Sequence, residues 1–134
     1  MNKSKLIMLG IISIFISSGI SADPSSYPNS RATYKEVESS VGCESNYSKQ
    51  KKEDIFREKY KNHYMTWTGE VMLPESSSVS LNVDRFGTQD LAVSFLDKKA
   101  GYDLEEGQII TVRFLMTSVG GCFLPHQGRY ATIQ

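Results

Sequence analysis

From Met65 onward the chain adopts a period of two, and no other feature narrows the possible folds as far. Met65, Trp67, Gly69 and Val71 alternate with Thr66, Thr68 and Glu70, the pattern of a strand with one face turned to a core. Pro74 and Glu75 close it. Val79, Leu81 and Val83 then alternate with Ser78, Ser80 and Asn82, and the polar turn Asp84-Arg85-Phe86-Gly87 leads to Leu91, Val93 and Phe95, which predicts a hairpin. Residues 97–107 are charged and contain two glycines, so they read as a connection with room for one helical turn near Leu104. Ile110, Val112, Phe114 and Met116, set against Thr111, Arg113 and Thr117, make a fourth strand that Gly120 and Gly121 break. A fifth is predicted over 130–134, after a turn at residues 125–128.

Ahead of these strands the period is helical. Thr33 and Glu36 have the spacing of a capping box, and Tyr34, Val37 and Val41 follow at helical intervals, which predicts a helix over 31–41 ending at Gly42. A second helix is predicted from Lys51 to about Asn62, with Glu53 and Arg57 paired and Ile55, Phe56 and Tyr60 on one side. Lys49, Lys51 and Lys52 read as a solvated face of it rather than a phosphate site. Two short helices and five short strands, with a bend-permitting Gly69 in the first, fit a small closed or partly open barrel. Closure pairs the edges that an open five-stranded sheet would expose.

The first residues carry Lys3 and Lys5, an apolar run from Leu6 to Ile20, and Ser21-Ala22 ahead of Asp23-Pro24-Ser25-Ser26. Basic start, short apolar core and small residues at the exit are the layout of a secretory signal peptide cut after Ala22. The competing reading is a membrane anchor, for which 15 apolar residues fall short of the roughly 20 that a span needs. No cysteine stands at the cut, which disfavours a lipoprotein anchor. The predicted organisation is therefore a signal peptide over 1–22, a flexible mature N-terminus over 23–30, a helical segment over 31–63 and a β-barrel over 64–134. The last two form a single domain. Loss of Lys3 and Lys5 leaves thirteen basic against fifteen acidic residues, a formal net charge of −2. Such a domain has no global field to gather phosphates, so bulk electrostatic binding of nucleic acid is not expected. Cys43 and Cys122 are the only cysteines. In a periplasmic or secreted chain they predict one disulfide, and two free thiols are the alternative.

Three segments carry a family resemblance: Trp67-Thr68-Gly69-Glu70-Val71, the stretch Leu104-Glu105-Glu106-Gly107-Gln108-Ile109-Ile110-Thr111-Val112, and the closing strand. Over roughly residues 56–133 the chain resembles bacterial exported OB-fold proteins of the tRNA-anti-like type. In that group a helix precedes a first strand of the form W-x-G-x-V, and a Gly-polar-x-V-x-V pattern opens the fourth. The resemblance implies a mostly β fold with N-terminal helices (α+β), a five-stranded OB-like barrel, and a binding role without catalytic residues. OB-folds hold ligands across their second and third strands and the flanking loops. Carried onto this chain, that surface is the side of Ser78, Ser80 and Asn82 together with Arg85, Phe86 and the 89–94 segment. The candidate ligand-binding residues are Ser80, Asn82, Arg85, Phe86 and Gln89. Phe86 stands in a polar turn, either exposed as a contact residue or folded back over the barrel end.

Reactive constellations are thin. His63 and His126 are the only histidines, they have no cysteine or carboxylate at metal-ligand spacing, and they read as ordinary, partly exposed side chains. Cys122 and His126 as thiolate and base would need an orienting third group and an oxyanion site, and a disulfide removes the thiol. Asp103, Glu105 and Glu106 lack the alternating spacing of a calcium loop and read as a solvated turn. No catalytic residue, metal or cofactor is assigned. The expected function is a non-enzymatic exported binding module for a protein, oligosaccharide or nucleic-acid ligand, with no membrane anchor after cleavage. The alternative is a periplasmic inhibitor or immunity protein that blocks an exported enzyme.

Overall fold

Helix α1 (Tyr34–Val41) begins where the capping box closes. The backbone N–H of Glu36 donates to Thr33 Oγ1 at 3.1 Å, and the N–H of Thr33 donates to Glu36 Oε2 at 2.7 Å, satisfying two of the amides a helix start leaves unpaired. The computed structural model describes residues 23–134, and the signal-peptide reading concerns residues 1–22, outside that range. Helix α2 (Lys49–Ile55) starts earlier than its apolar spacing suggests because Ser48 caps it, accepting from the Lys51 N–H at 3.3 Å. It continues into a π-helical turn, Phe56–Tyr60, and the chain reverses at Asn62, whose φ is 58°.

Five strands follow: β1 (Tyr64–Pro74), β2 (Ser78–Asn82), β3 (Leu91–Phe95), β4 (Ile109–Ser118) and β5 (His126–Ile133). They close into a barrel in the order β1-β2-β3-β5-β4, an OB-like arrangement in which only the β3–β5 pair is parallel. The odd-numbered side of β1 faces inward, as its alternation requires: Met65, Trp67 and Val71 join Leu81, Leu91, Val93, Val112, Phe114 and Met116 in the core. Helix α1 adds Val37 and Val41 to the same cluster. At Gly69 the strands approach so closely that a Cβ would lie 2.9 Å from the Asn82 carbonyl oxygen, a spacing only glycine tolerates.

Three expectations change. The turn placed at 125–128 is strand: β5 begins at His126, and Gly128 pairs with both Val93 and Met116. A Cβ there would stand 2.4 Å from Phe114 Cδ2, so this glycine marks a tight seam between strands rather than a reversal. Around Leu104 the connection makes turns and no helix. Residues 23–30, read from composition as a flexible N-terminus, are tied to β1. Tyr64 donates its N–H to the Pro28 carbonyl at 2.8 Å and its hydroxyl to the Pro24 carbonyl at 2.5 Å. Ser30 donates to the Tyr64 carbonyl at 2.8 Å, and Arg113 to Asn29 Oδ1 at 2.8 Å. Low apolar content did not reveal this because the ties are hydrogen bonds: two are between backbone groups, which any sequence can supply, and two come from the distant side chains of Tyr64 and Arg113. Among the described residues no helix is long and apolar enough to cross a membrane.

Candidate functional site

A cleft of about 570 Å³ opens between α1, the β2–β3 loop (83–90) and the β4–β5 loop (119–125). Cys43, just past the end of α1, is disulfide-bonded to Cys122 in the β4–β5 loop, with their Cα atoms 4.8 Å apart. The bond clamps two walls of the cleft together. Behind it a buried pair repeats the connection: His126, 1% exposed on β5, sits with Nε2 2.5 Å from Glu38 Oε1 on α1. The N–H of Gly120 donates to His126 Nδ1 at 2.9 Å, so the ring proton of the neutral imidazole belongs on Nε2 and is donated to the carboxylate. Burial pushes the His126 pKa below its ordinary value, against the opposing pull of Glu38. The second Glu38 oxygen accepts from the Cys43 N–H at 3.2 Å.

Asp90 organises the third wall. Its Oδ2 accepts from the backbone N–H groups of Val83 and Asp84 at 2.8 and 3.1 Å, and its Oδ1 accepts from the Tyr34 hydroxyl at 3.3 Å. Burial raises the Asp90 carboxyl above its usual range, opposed by those backbone bonds. Burial, with the nearby Glu38, Asp90 and Asp84 carboxylates, likewise drives the Tyr34 hydroxyl far up. Tyr34 also meets Trp67 and His126 edge-on, with centroids 5.5 and 5.6 Å away, and the Trp67 indole donates to the Ala32 carbonyl at 2.9 Å. Among the described residues the floor is thus braced by hydrogen bonds and aromatic contacts. The rim is not covered: Phe86 is 82% exposed, Phe123 98% and Leu124 72%.

The five residues proposed from the sequence divide. Phe86 and Gln89 line the cleft. Arg85 lies beside them on the same loop, exposed and with a φ of 64°. Ser80 lies apart, in a shallow depression over β2, β3 and β5 with Ser78, Ala92 and Ser94. Asn82 is not on that outer face: it is 5% exposed, buried like Leu81 beside it at 0%. Alternation ends with the strand, and the chain there bends to carry the Asn82 amide beneath the β2–β3 loop, where Nδ2 donates to the Gly87 carbonyl at 3.3 Å. Its Oδ1 has no partner among the described residues. Asn82 therefore braces the loop.

Sequence reasoning missed Tyr34, Glu38, Asp90 and His126 as one network, and missed Phe123 and Leu124 altogether. The last two had a signal: consecutive apolar side chains between Gly-Gly-Cys and Pro, where no strand or helix exists to bury them. His126, expected to be partly exposed, is buried because β5 starts with it and turns it inward onto Glu38. The supposed Cys122–His126 couple has no thiol, since the sulfur is bonded to Cys43. Among the described residues no group of three or more His, Cys, Asp or Glu is arranged to hold a metal ion. No family model, curated protein or solved structure matches the chain.

Proposed function

We propose that this chain is an exported, non-enzymatic binding module of the OB-fold type, akin to the tRNA-anti-like group, that docks a protein partner at the cleft between α1 and the two loops. The single observation that carries the reading is the rim: three large apolar side chains stand in water around a cleft whose walls are cross-linked and whose floor is hydrogen-bonded. Exposed apolar groups beside a cross-linked, hydrogen-bonded support favour association by the burial they gain. The signal-peptide layout and the disulfide both support an oxidising, extracytoplasmic location. The outer face of β2 and β3, where an OB-fold would stack bases, offers Ser78, Ser80, Ala92 and Ser94. These supply neither aromatic platforms nor cations, which favours the cleft over that face and a protein over nucleic acid.

A photo-crosslinking amino acid at Phe123 or Phe86, introduced into the full chain in its native host, should yield an adduct of one defined mass. The same group at Leu96, 57% exposed but remote from the cleft, should not. Equal yield at all three positions would refute the reading.

The inhibitor alternative draws on the same loop. Phe123 projects almost fully into solvent beside the disulfide-bonded Cys122, the shape of a plug held ready for another protein's active-site cleft. If the captured partner is an enzyme, loss of its activity with the wild-type chain and retention with Phe123→Ser supports inhibition.

A further inference from the structure

Among the described residues lining the cleft are four carboxylates, Glu38, Glu44, Asp84 and Asp90, against one cation, Lys35, with the exposed Arg85 beside them on the β2–β3 loop. Two of the four are committed inside the fold: Glu38 to His126 and the Cys43 amide, Asp90 to Tyr34 and two backbone amides. The other two stand at the exposed mouth. Among the described residues the Glu44 side chain makes no hydrogen bond or ion pair, and Asp84 uses only Oδ1, to accept from the Phe86 N–H at 2.8 Å. Independently of these charges, Phe86, Phe123 and Leu124 present bare apolar surface on the two loops that flank them. Negative charge beside apolar surface selects a partner that brings positive charge and apolar side chains together.

We propose that the occupant of this cleft is a cationic segment of a partner protein, a short stretch in which Lys or Arg alternates with apolar side chains. Its cations meet Glu44 and Asp84, and its apolar groups cover Phe86, Phe123 and Leu124. The cleft volume of about 570 Å³ lies within the roughly 300–1,000 Å³ typical of pockets that enclose a compact ligand, enough for side chains but not for a whole folded element. This assignment rests on the cleft being the docking site, and its test separates the two.

The test uses fluorescein-labelled Lys-Leu-Lys-Phe-Lys-Leu and its Glu-Leu-Glu-Phe-Glu-Leu counterpart, titrated with the oxidised full-length chain and followed by anisotropy. The lysine peptide should bind and the glutamate peptide should not. Raising the salt from 0.01 to 0.15 M, which shortens the screening length from about 30 to about 8 Å, should weaken binding. Glu44→Gln and Asp84→Asn, both at exposed positions, should each weaken it about two- to fivefold at low salt without shifting the melting temperature. Phe123→Ser should weaken it further and leave the salt dependence in place. Equal binding of both peptides, or no effect of the two charge substitutions, overturns the assignment. If neither peptide binds while crosslinking at Phe123 still captures a partner, the cationic class fails and the docking site survives. Self-association of the unlabelled chain that the same substitutions abolish would also overturn it, in favour of a second copy carrying its own Lys49, Lys51 and Lys52 into the cleft.

Discussion

Replacing Cys43 and Cys122 together by alanine opens a loop of 79 residues that the oxidised chain keeps closed even when unfolded. In the chain-entropy account the closed loop removes about 15 cal/mol/K from the denatured ensemble, or about 4.5 kcal/mol at 25 °C. Both cysteines are exposed, so truncating them removes little native packing. The Glu38–His126 pair and the burial of Val37 and Val41 still hold α1 to the barrel. The loss should therefore reside almost wholly in the unfolded state. With an unfolding entropy of about 2.1 cal/mol/K per residue over residues 23–134, the melting temperature should fall by about 20 °C. For a domain whose total stability is on the order of 5–15 kcal/mol, the variant stays folded but loses much of its margin. Urea unfolding of the oxidised wild type beside the double variant measures this directly. The midpoint should fall on the order of 2–4 M, and the slope should rise because a chain freed of its cross-link exposes more surface. A change below about 1 kcal/mol would refute the reasoning, since the denatured chain would then have gained none of the freedom assigned to it.

Stability should also fall with acid through one buried ring. The pKa of His126 is depressed by burial, so its contribution is complete above the unfolded value near 6.5 and declines as pH drops from there toward the folded value, where the unfolded chain binds more protons. Asp90, raised by burial, acts with the opposite sign and only in the carboxylate range. Unfolding free energy measured from about pH 8 to about pH 5 should fall in the wild type and flatten in His126→Gln; matching slopes would sink the assignment. Gly128→Ala places a methyl 2.4 Å from Phe114 Cδ2 and 2.9 Å from the Leu115 carbonyl, and should cost about 1–3 kcal/mol by overpacking. Gly121→Ala, which meets nothing within 4 Å, should be neutral in the same melting experiment. Equal melting temperatures for the two variants would refute the tight seam at β5.

Much of the barrel was legible because its cause is local. A strand with one wet face must alternate, and Met65 to Val71 and Ile110 to Phe114 do so, the latter until the buried Leu115 interrupts the pattern. The first helix was legible for the same reason: Thr33 and Glu36 satisfy each other's backbone across a single turn. Legibility failed at chain reversals and strand ends. Asn82 holds an outward place in the alternation yet turns in, because the loop beyond it requires a brace. Gly128 looks like a turn residue and is instead a point of contact between strands. Of the candidate site, Phe86 and Gln89 were found through their loop. The Phe123-Leu124 rim carried a readable signal in its unburied apolar pair, and the Glu38–His126 floor carried none.

Residues acting within a turn or along one strand determined the helix start, the inward faces of β1 and β4, and the presence of two cysteines able to pair. Which distant groups meet was decided by barrel closure alone. The parallel seating of β3 against β5 sets His126 beneath α1, where Glu38 lies 88 residues away in sequence. The same closure brings the β2–β3 and β4–β5 loops to one mouth. Propensity and periodicity act over a few residues, whereas a cleft is a relation between segments whose separation along the chain exerts no force until packing brings them together.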